Sequence, residues 1–535
     1  MAQNGSAPNG NKNKGPRCIA LVGPFQAGKT TLLEAILART GAVQRPGTVE
    51  AGNTVGDANA EARAHKMSVE LSVASADFLG DAYTFLDCPG SIEFVQEMRS
   101  VLPPVDAAVV VCEADERKVP QLQLVLRELE ERKIPRFLFI NKIDKADKRV
   151  RETLSLLQPA SRVPLVLRQI PIWKDGIVVG FVDLALERAF VYREHAASEV
   201  VDFDDESAAR KKDARFSMLE KLADHDDKLM EQLLEDIEPP RDKVFDDLAK
   251  ELREGSICPV LIGSATRTNG ILRLLKALRH EAPGVAETAV RLGVKAGGDA
   301  IGQVMKTVHT AHGGKLSVVR VLAGEFGEGA SVLGAKGESA RVAGVFKQMG
   351  GAVEKRGVGK AGETVALGKL DTIATLDTIT TGKQPAALLA RVAPLSPVLG
   401  LAIAPRERKD DVKLGQALHK LVEEDPSLTV VHNTETGEIV LWGRARCISA
   451  SLPSGSPRAS ASRPRRTRRA SATGKPSARR SPSAAATRSS PAATASSATS
   501  SSTSSRCRAA PASSSPRRSP AARCRGNISR PSRRA

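Results

Sequence analysis

Acidic side chains are absent from residues 444–535, which hold 21 Lys and Arg and no Asp or Glu. Large aliphatic side chains are nearly absent there too: Ile448, Leu452 and Ile528 are the only ones. The formal charge of +18 therefore belongs to that segment, because residues 1–443 carry 58 basic against 61 acidic side chains. A slightly acidic body removes most of the suggestion, raised by the total charge, that the chain is a nucleic-acid binder. No two of the seven cysteines form a CxxC pair, so neither a zinc site nor a disulfide framework is indicated. Cys18, Cys88, Cys112 and Cys258 sit in apolar or turn contexts and read as buried free thiols. No apolar run is long enough for a signal peptide or a membrane span, which leads to the expectation of a cytoplasmic monomer away from membranes.

What is present is organised. Residues 1–16 read as a disordered polar leader. From Cys18 to about Gly284, short apolar strands alternate with amphipathic helices. Candidate strands are 18–22, 83–86, 106–112, 136–140 and 258–263; candidate helices are 30–39, 121–132 and 271–278. This alternation predicts a mostly parallel, doubly wound α/β sheet. A stretch at about 160–255 breaks the rhythm, strand-rich and then highly charged, and reads as an inserted subdomain. Residues 286–385 change to short strands separated by Gly-rich turns, which suggests a small β-barrel. Residues 386–443 return to α/β, with Leu414, Ala417, Leu418 and Leu421 on one helical face.

Four stretches carry chemistry. Gly23–Thr30, GPFQAGKT, fits GxxxxGK[ST] and lies between an apolar strand and a helix, as that motif requires. Glycines there let backbone N–H groups turn inward onto phosphate oxygens. The loop Gly23, Pro24, Phe25, Gln26, Ala27, Gly28, Lys29, Thr30 and Thr31 is thus the candidate phosphate site, with Lys29 reaching the β- and γ-phosphates and the Thr30 hydroxyl ligating Mg²⁺. Asp87-Cys88-Pro89-Gly90 follows the next strand. Asp87 can hold the Mg²⁺ shell and Gly90 can bring an N–H to the γ-phosphate, although Pro-Gly alone is a common turn. In Asn141-Lys142-Ile143-Asp144, the Asp144 carboxylate can accept from guanine N1–H and the 2-amino group, Asn141 can address the purine edge, and the Lys142 stem can lie over the ring. Ser264 and Ala265 can close over the base oxygen with backbone N–H groups. Each loop lies at the C-terminal end of a predicted strand, where open α/β sheets bind ligands. Together they predict a GTP/GDP site with Mg²⁺.

On these motifs the chain resembles the GTPases of translation, and specifically elongation factor G, over about 17–443. GSATRTNGILRLLKAL (263–278) is similar to that family's fifth loop and helix, and GGKLSVVRVLAGEFGEGASV (313–332) to its barrel. LGQALHKLVEEDPSLTVVHNTETGEIVLWG (414–443) is similar to the first half of its third domain. The resemblance implies a multidomain chain. It would comprise an α/β P-loop GTPase domain (17–285) with an insert, a β-barrel domain (286–385), a partial α+β ferredoxin-like domain (386–443) and a disordered basic tail (444–535). It implies a ribosome-bound GTPase of translocation and ribosome disassembly. It also implies GTP binding without productive translocation, since the family's later domains have no counterpart here.

Departures from the family pattern qualify the activity. The family places a water-orienting histidine after the Asp-x-Pro-Gly turn; here Ser91 stands there as the candidate catalytic residue beside Lys29. A hydroxyl lacks the acid–base range of an imidazole, so weak hydrolysis is expected. His65 lies nearby in the first switch. His65-Lys66-Met67-Ser68 stands where the family has Arg-Gly-Ile-Thr; Ser68 keeps a hydroxyl for Mg²⁺, and Lys66 replaces the glycine. Gln26 replaces an aspartate in the phosphate loop. The alternative is a module that binds GTP with little or no hydrolysis.

After Gly443 the composition collapses to Arg, Ser, Ala and Pro, which cannot bury enough apolar surface to offset chain entropy. One reading is a basic arm that binds RNA non-specifically. The other is translation out of frame: Gly-Arg-Ala-Arg-Cys-Ile can be written GGC AGG GCG AGA TGC ATC, and moved back by one base it reads CAG GGC GAG ATG CAT, or Gln-Gly-Glu-Met-His. Elongation factor G has a Gly-x-Gly-Glu-x-His stretch at this point.

Overall fold

A computed structural model describes residues 15–145, 149–193, 198–202, 205–294, 297–310, 314–389, 392–405, 411–433 and 438–444. The expected leader, up to residue 14, and the basic tail from 445 lie outside the described residues.

Fully apolar strands demand cover on both faces, and the first unit supplies it. Its seven-stranded sheet contains β1 (Arg17–Val22), β2 (Ser72–Phe78), β3 (Asp81–Asp87), β4 (Ala107–Cys112), β5 (Arg136–Ile140) and β6 (Leu165–Leu167). An insert sheet follows: β7 (Gln169–Lys174), β8 (Ile177–Asp183), β9 (Arg188–Val191) and β10 (Glu199–Val201). Then β11 (Cys258–Ile262) completes the main sheet in the order β2-β3-β1-β4-β5-β11-β6. All its pairings are parallel except β2–β3. The short β6 falls inside the stretch read as an insertion yet pairs with β11 at the sheet edge.

Helices of this unit are α1 (Lys29–Thr40), α2 (Ala60–His65), α3 (Val95–Val101), α4 (Val119–Glu131), α5 (Val150–Leu157), α6 (Asp205–Ala223), α7 (Asp227–Leu234), α8 (Arg241–Glu254), α9 (Ile271–Glu281) and α10 (Val285–Arg291). The two faces of the sheet hold separate cores. Ile19, Leu21 and Val109 pack with α1 and α9 on one side; Ala20, Val110 and Leu138 pack with α3 and α4 on the other. Alternate residues of one strand thus serve opposite cores, as the pleat dictates. The highly charged part of the insert forms α6 and α7, separated where the Asp226 carboxylate caps α7 by accepting from Lys228 N and Leu229 N.

The antiparallel barrel unit contains β12 (Ile301–Thr310), β13 (Gly314–Ala323), β14 (Glu325–Gly327), β15 (Ser331–Leu333), β16 (Ser339–Arg341), β17 (Val345–Met349), β18 (Ala352–Arg356), β19 (Val358–Lys360), β20 (Thr364–Gly368) and β21 (Thr378–Thr380). It closes around Val304, Val319, Phe326 and Ile379. A last small unit packs α11 (Asp411–Glu424) on a sheet of β22 (Leu399–Ile403), β24 (Ile439–Gly443) and β23 (Thr429–His432). Leu414, Leu418 and Leu421 of α11 meet Ile403, Val430 and Leu441 there. A GTPase-type α/β domain, then β-rich and small α/β domains, is the fold class the motifs called for.

The barrel is joined to the first unit by buried charge. Arg320 of β13 pairs with Asp106 at the start of β4, and neither side chain has any exposed surface. The other bonds to that carboxylate come from Cys18 N at 2.7 Å and from the Thr288 hydroxyl of α10 at 2.6 Å. Opposite charges and hydrogen bonds on both carboxylate oxygens offset most of the cost of burying the pair, although the Arg320 Nε has no partner. No helix among the described residues is long and apolar enough to cross a membrane.

Candidate functional site

The loops leaving β1, β3, β5 and β11 meet at one end of the sheet. The phosphate loop runs from Gly23 to Lys29 and must pass close under β4: a Cβ on Gly23 would lie 2.1 Å from Val111 O. Gln26 (φ 57°) and Gly28 (φ 91°) take left-handed backbone, which turns successive peptide N–H groups to one side. Lys29 and Thr30 are buried, whereas Phe25 and Gln26 are exposed. The Lys29 ammonium donates to Gly23 O and Pro24 O, each at 3.1 Å. Burial pushes its pKa down, and the neighbouring Asp87 pulls it back. Thr31 lies one residue further along α1.

Thr30, Ser68 and Asp87 come together. Thr30 Oγ1 donates to Asp87 Oδ2 at 2.7 Å and lies 3.0 Å from Ser68 Oγ. Asp87 is wholly buried, its Oδ1 has no partner, and burial pushes its pKa up to about 7. A buried carboxylate with an unpartnered oxygen suits a cation, so the donor set fits Mg²⁺: two hydroxyls and hard carboxylate oxygen. Among the described residues no three His, Cys, Asp or Glu side chains form a metal cluster.

The base loops interlock through one amide. Asn141 Nδ2 donates to Ala27 O at 2.9 Å, and Asn141 Oδ1 accepts from Ala265 N at 2.9 Å. The side chain thereby ties the phosphate loop to the loop after β11. Lys142 (φ 58°) reaches back to Gln26 O at 2.9 Å and pairs with Glu113 at 2.8 Å. Asp144 is loosely paired with Arg267 at 3.4 Å, and its Oδ1 is buried with no partner, an acceptor available to an N–H edge. Ser264 and Ala265 are buried, and Ser264 exchanges backbone hydrogen bonds with Asn269.

Residues 14–284 match the elongation factor Tu GTP binding domain, and residues 395–447 match domain III of elongation factor G. An elongation factor G-like protein of Synechocystis sp. is 43% identical over 438 residues, which are 82% of this chain and 64% of that relative. A crystal structure of a Thermus thermophilus protein matches with a TM-score of 0.72 at 29% identity, over 82% of this chain and 66% of that one. The chain belongs to the elongation-factor-G-like GTPases. It spans just under two thirds of the length of both relatives.

The residues expected to qualify the activity have visible geometry. Ser91 is half-buried at the entrance to a 3₁₀ turn (Ile92–Phe94), and its hydroxyl makes no capping bond. His65 is exposed at the end of α2. Lys66 takes left-handed backbone (φ 51°, ψ 41°), which costs a non-glycine residue roughly 1–2 kcal/mol.

Three residues of the site escape sequence reading. Gln121 of α4 accepts from Phe25 N at 3.2 Å and donates to Gly90 O, bracing the Asp87–Gly90 turn against the phosphate loop. Glu113 anchors Lys142 and Lys118. Asp57, 3% exposed, joins the Thr30 and Asp87 neighbourhood through the close approach of Gly56, whose Cβ would lie 3.0 Å from Asp87 Oδ2. Burial raises its carboxyl pKa, and Ser68, Thr54 and Lys29 oppose that rise. Only Pro120, in the first turn of α4 beside Gln121, offers any sequence signal, and it points to a helix start.

Proposed function

We infer that this chain binds GTP and GDP with Mg²⁺ and works as a translational GTPase on the ribosome, in the manner of elongation factor G. The observation that carries this is Asn141, whose amide links the phosphate loop and the Ser264–Ala265 loop into one pocket wall. Gly23 to Thr31 would surround the phosphates, and Asn141, Lys142, Asp144, Ser264 and Ala265 would hold guanine. Thr30, Ser68 and Asp87 would hold the metal, which supplies positive charge against β- and γ-phosphate oxygens. Lys29 would exchange the Gly23 and Pro24 carbonyls for phosphate oxygens. Gly90 suits close approach: a Cβ there would lie 2.3 Å from Lys29 Nζ. Ser91 can hydrogen-bond a water and cannot take its proton at neutral pH, so hydrolysis is slow.

Titrating the full chain with a fluorescent GDP derivative and Mg²⁺ tests the reading. Saturable binding that GTP reverses and ATP does not is expected. A flat response from folded protein overturns it. A second reading, a GTP-holding module with little hydrolysis, is favoured by the missing imidazole at Ser91 and by the left-handed Lys66.

A further inference from the structure

A cavity of about 1070 Å³ lies behind the guanine-side loop, away from the phosphate loop. Its floor is the insert sheet, where Phe181, Phe190 and Val200 are cross-strand neighbours on one face. The Phe181 and Phe190 rings stack at 5.1 Å and 20°, and Val200 is 56% exposed. The walls are one face of α8, carrying Phe245, Ala249 and Arg253, and one face of α9, carrying Leu272, Arg273 and Lys276. The volume lies at the upper edge of that of small-ligand sites.

The lining is unevenly charged, with seven Arg and Lys against four Asp and Glu. Two charges are already neutralised: Arg279 by Asp81, and Glu281 by Arg168, whose guanidinium also lies over the Phe245 ring at 5.6 Å. Among the described residues, Arg39, Arg188, Lys250, Arg253 and Lys276 have no ion-pair partner, against Asp242, Asp246 and Glu254 on the acidic side, which leaves a net positive lining. Arg273 is 8% exposed; its Nε pairs with Asp183, and its Nη2 is buried with no partner at all. A buried guanidinium N–H left unmade is costly, and an anion in the cavity would satisfy it. Aromatic floor and cationic walls together select a flat ring that bears a phosphate.

We propose that this cavity is a second ligand site, specific for a phosphorylated aromatic compound of nucleotide size, with Arg273, Arg253 and Lys276 holding the phosphate and Phe190 and Val200 taking the ring. Thr268 and Gly270 line the same cavity and continue the loop that Ser264 and Asn269 tie together, so occupancy reaches the residues assigned to guanine. Only that coupling rests on the nucleotide reading given above.

Adenosine 5′-monophosphate is the probe, because it lacks the β-phosphate and the guanine edge. Calorimetric titration into the full chain saturated with GDP and Mg²⁺ is expected to show one site. Arg253→Glu and Lys276→Glu, both on the cavity rim, are each expected to weaken it about 10–100-fold, the worth of a charged hydrogen bond, with GDP affinity retained. No heat up to millimolar concentration overturns the proposal. So does binding indifferent to both variants, or inorganic phosphate binding as tightly as the nucleotide. If the chain takes no GDP, the same titration without GDP still decides this site, so the two readings fail separately.

Discussion

Lys306 Nζ lies 2.7 Å from both carboxylate oxygens of Glu97, and each side chain is only 9% exposed. Glu97 sits on α3, just after the Asp87–Gly90 turn, and also accepts from Leu71 N at 3.0 Å, three residues beyond Ser68. One carboxylate thus joins both segments beside the candidate metal site to barrel strand β12. Burial opposes the Lys306 charge, and Glu97 overrides it, holding the ammonium pKa above its ordinary value. Lys306→Met is expected to cost about 3–5 kcal/mol, because it strands a buried carboxylate. Adding Glu97→Gln, which keeps the acceptor for Leu71, is expected to recover much of that loss. Denaturation of the two variants side by side checks it, and equal losses would contradict it.

Asn141→Ala removes a buried donor and acceptor and leaves Ala27 O and Ala265 N without this partner. At roughly 1–3 kcal/mol for each buried group left unsatisfied, GDP affinity is expected to fall at least tenfold. Asn141→Asp keeps the acceptor for Ala265 N but sets a buried carboxylate oxygen against Ala27 O, so a loss larger than that of Asn141→Ala is expected. Fluorescent GDP titration of the three proteins measures the order.

Ser91→His supplies an acid–base group where the turn meets the phosphate loop. Ribosome-stimulated hydrolysis is expected to rise about 10²–10⁴-fold, the usual worth of such a group. Unchanged turnover, with nucleotide binding intact, would favour the GTP-holding module instead.

Glu251 on α8 gives a pH-dependent stability. Burial first, and Asp247 second, push its carboxyl up to about 8, and its Oε2 has no partner. The unfolded chain ionises it near an ordinary value of about 4.3. Between roughly pH 4.3 and 8 the folded state therefore binds more protons, and this residue's contribution to stability falls as pH rises. Below that window both states are protonated, and above it the loss is complete. Glu251→Gln is expected to flatten the fall and to raise Tm at pH 8 by roughly 2–5 °C. Calorimetry at pH 5.5 and pH 8 distinguishes this from a uniform effect.

The abrupt change at Gly443 invites a genetic test. The match to domain III of elongation factor G runs from 395 to 447. If residues 444–535 arise from a shifted reading frame, restoring one base near codon 443 gives Gln-Gly-Glu-Met-His and a family-like continuation. Coding DNA that offers no such continuation refutes that origin and leaves the RNA-binding arm as the reading for 444–535.

The legible parts of this molecule are those where local chemistry dictates spacing. Gly23–Thr30 and Asn141–Asp144 announce themselves because a backbone that wraps phosphates, or a carboxylate that faces a purine, needs fixed residues within one loop. The strands 83–86 and 106–112 are legible for a similar reason, since burial on both faces forces near-continuous apolar runs. Strand β2 is not: Ala, Ser and Asp alternate through Ser72–Phe78, with no run to mark it. Gln121 and Asp57 are silent in the sequence because their partners lie far away along the chain, at Gly90 for one and in the Thr30 and Asp87 neighbourhood for the other. Contacts made by the tertiary fold leave no period and no motif.

The ion pair of Asp106 and Arg320 bears on how such a molecule can change shape. Cys18, whose N–H shares that carboxylate, lies near the start of β1, which ends at Val22, so the barrel is fastened to the strand that feeds the phosphate loop. Prising the barrel off would abandon opposite charges in a dry interior. The α11 unit is fastened differently: Lys315 and His309 of the barrel meet Glu423 and Glu424 at its edge, where charge stays in reach of water, so parting there costs less than parting Asp106 from Arg320.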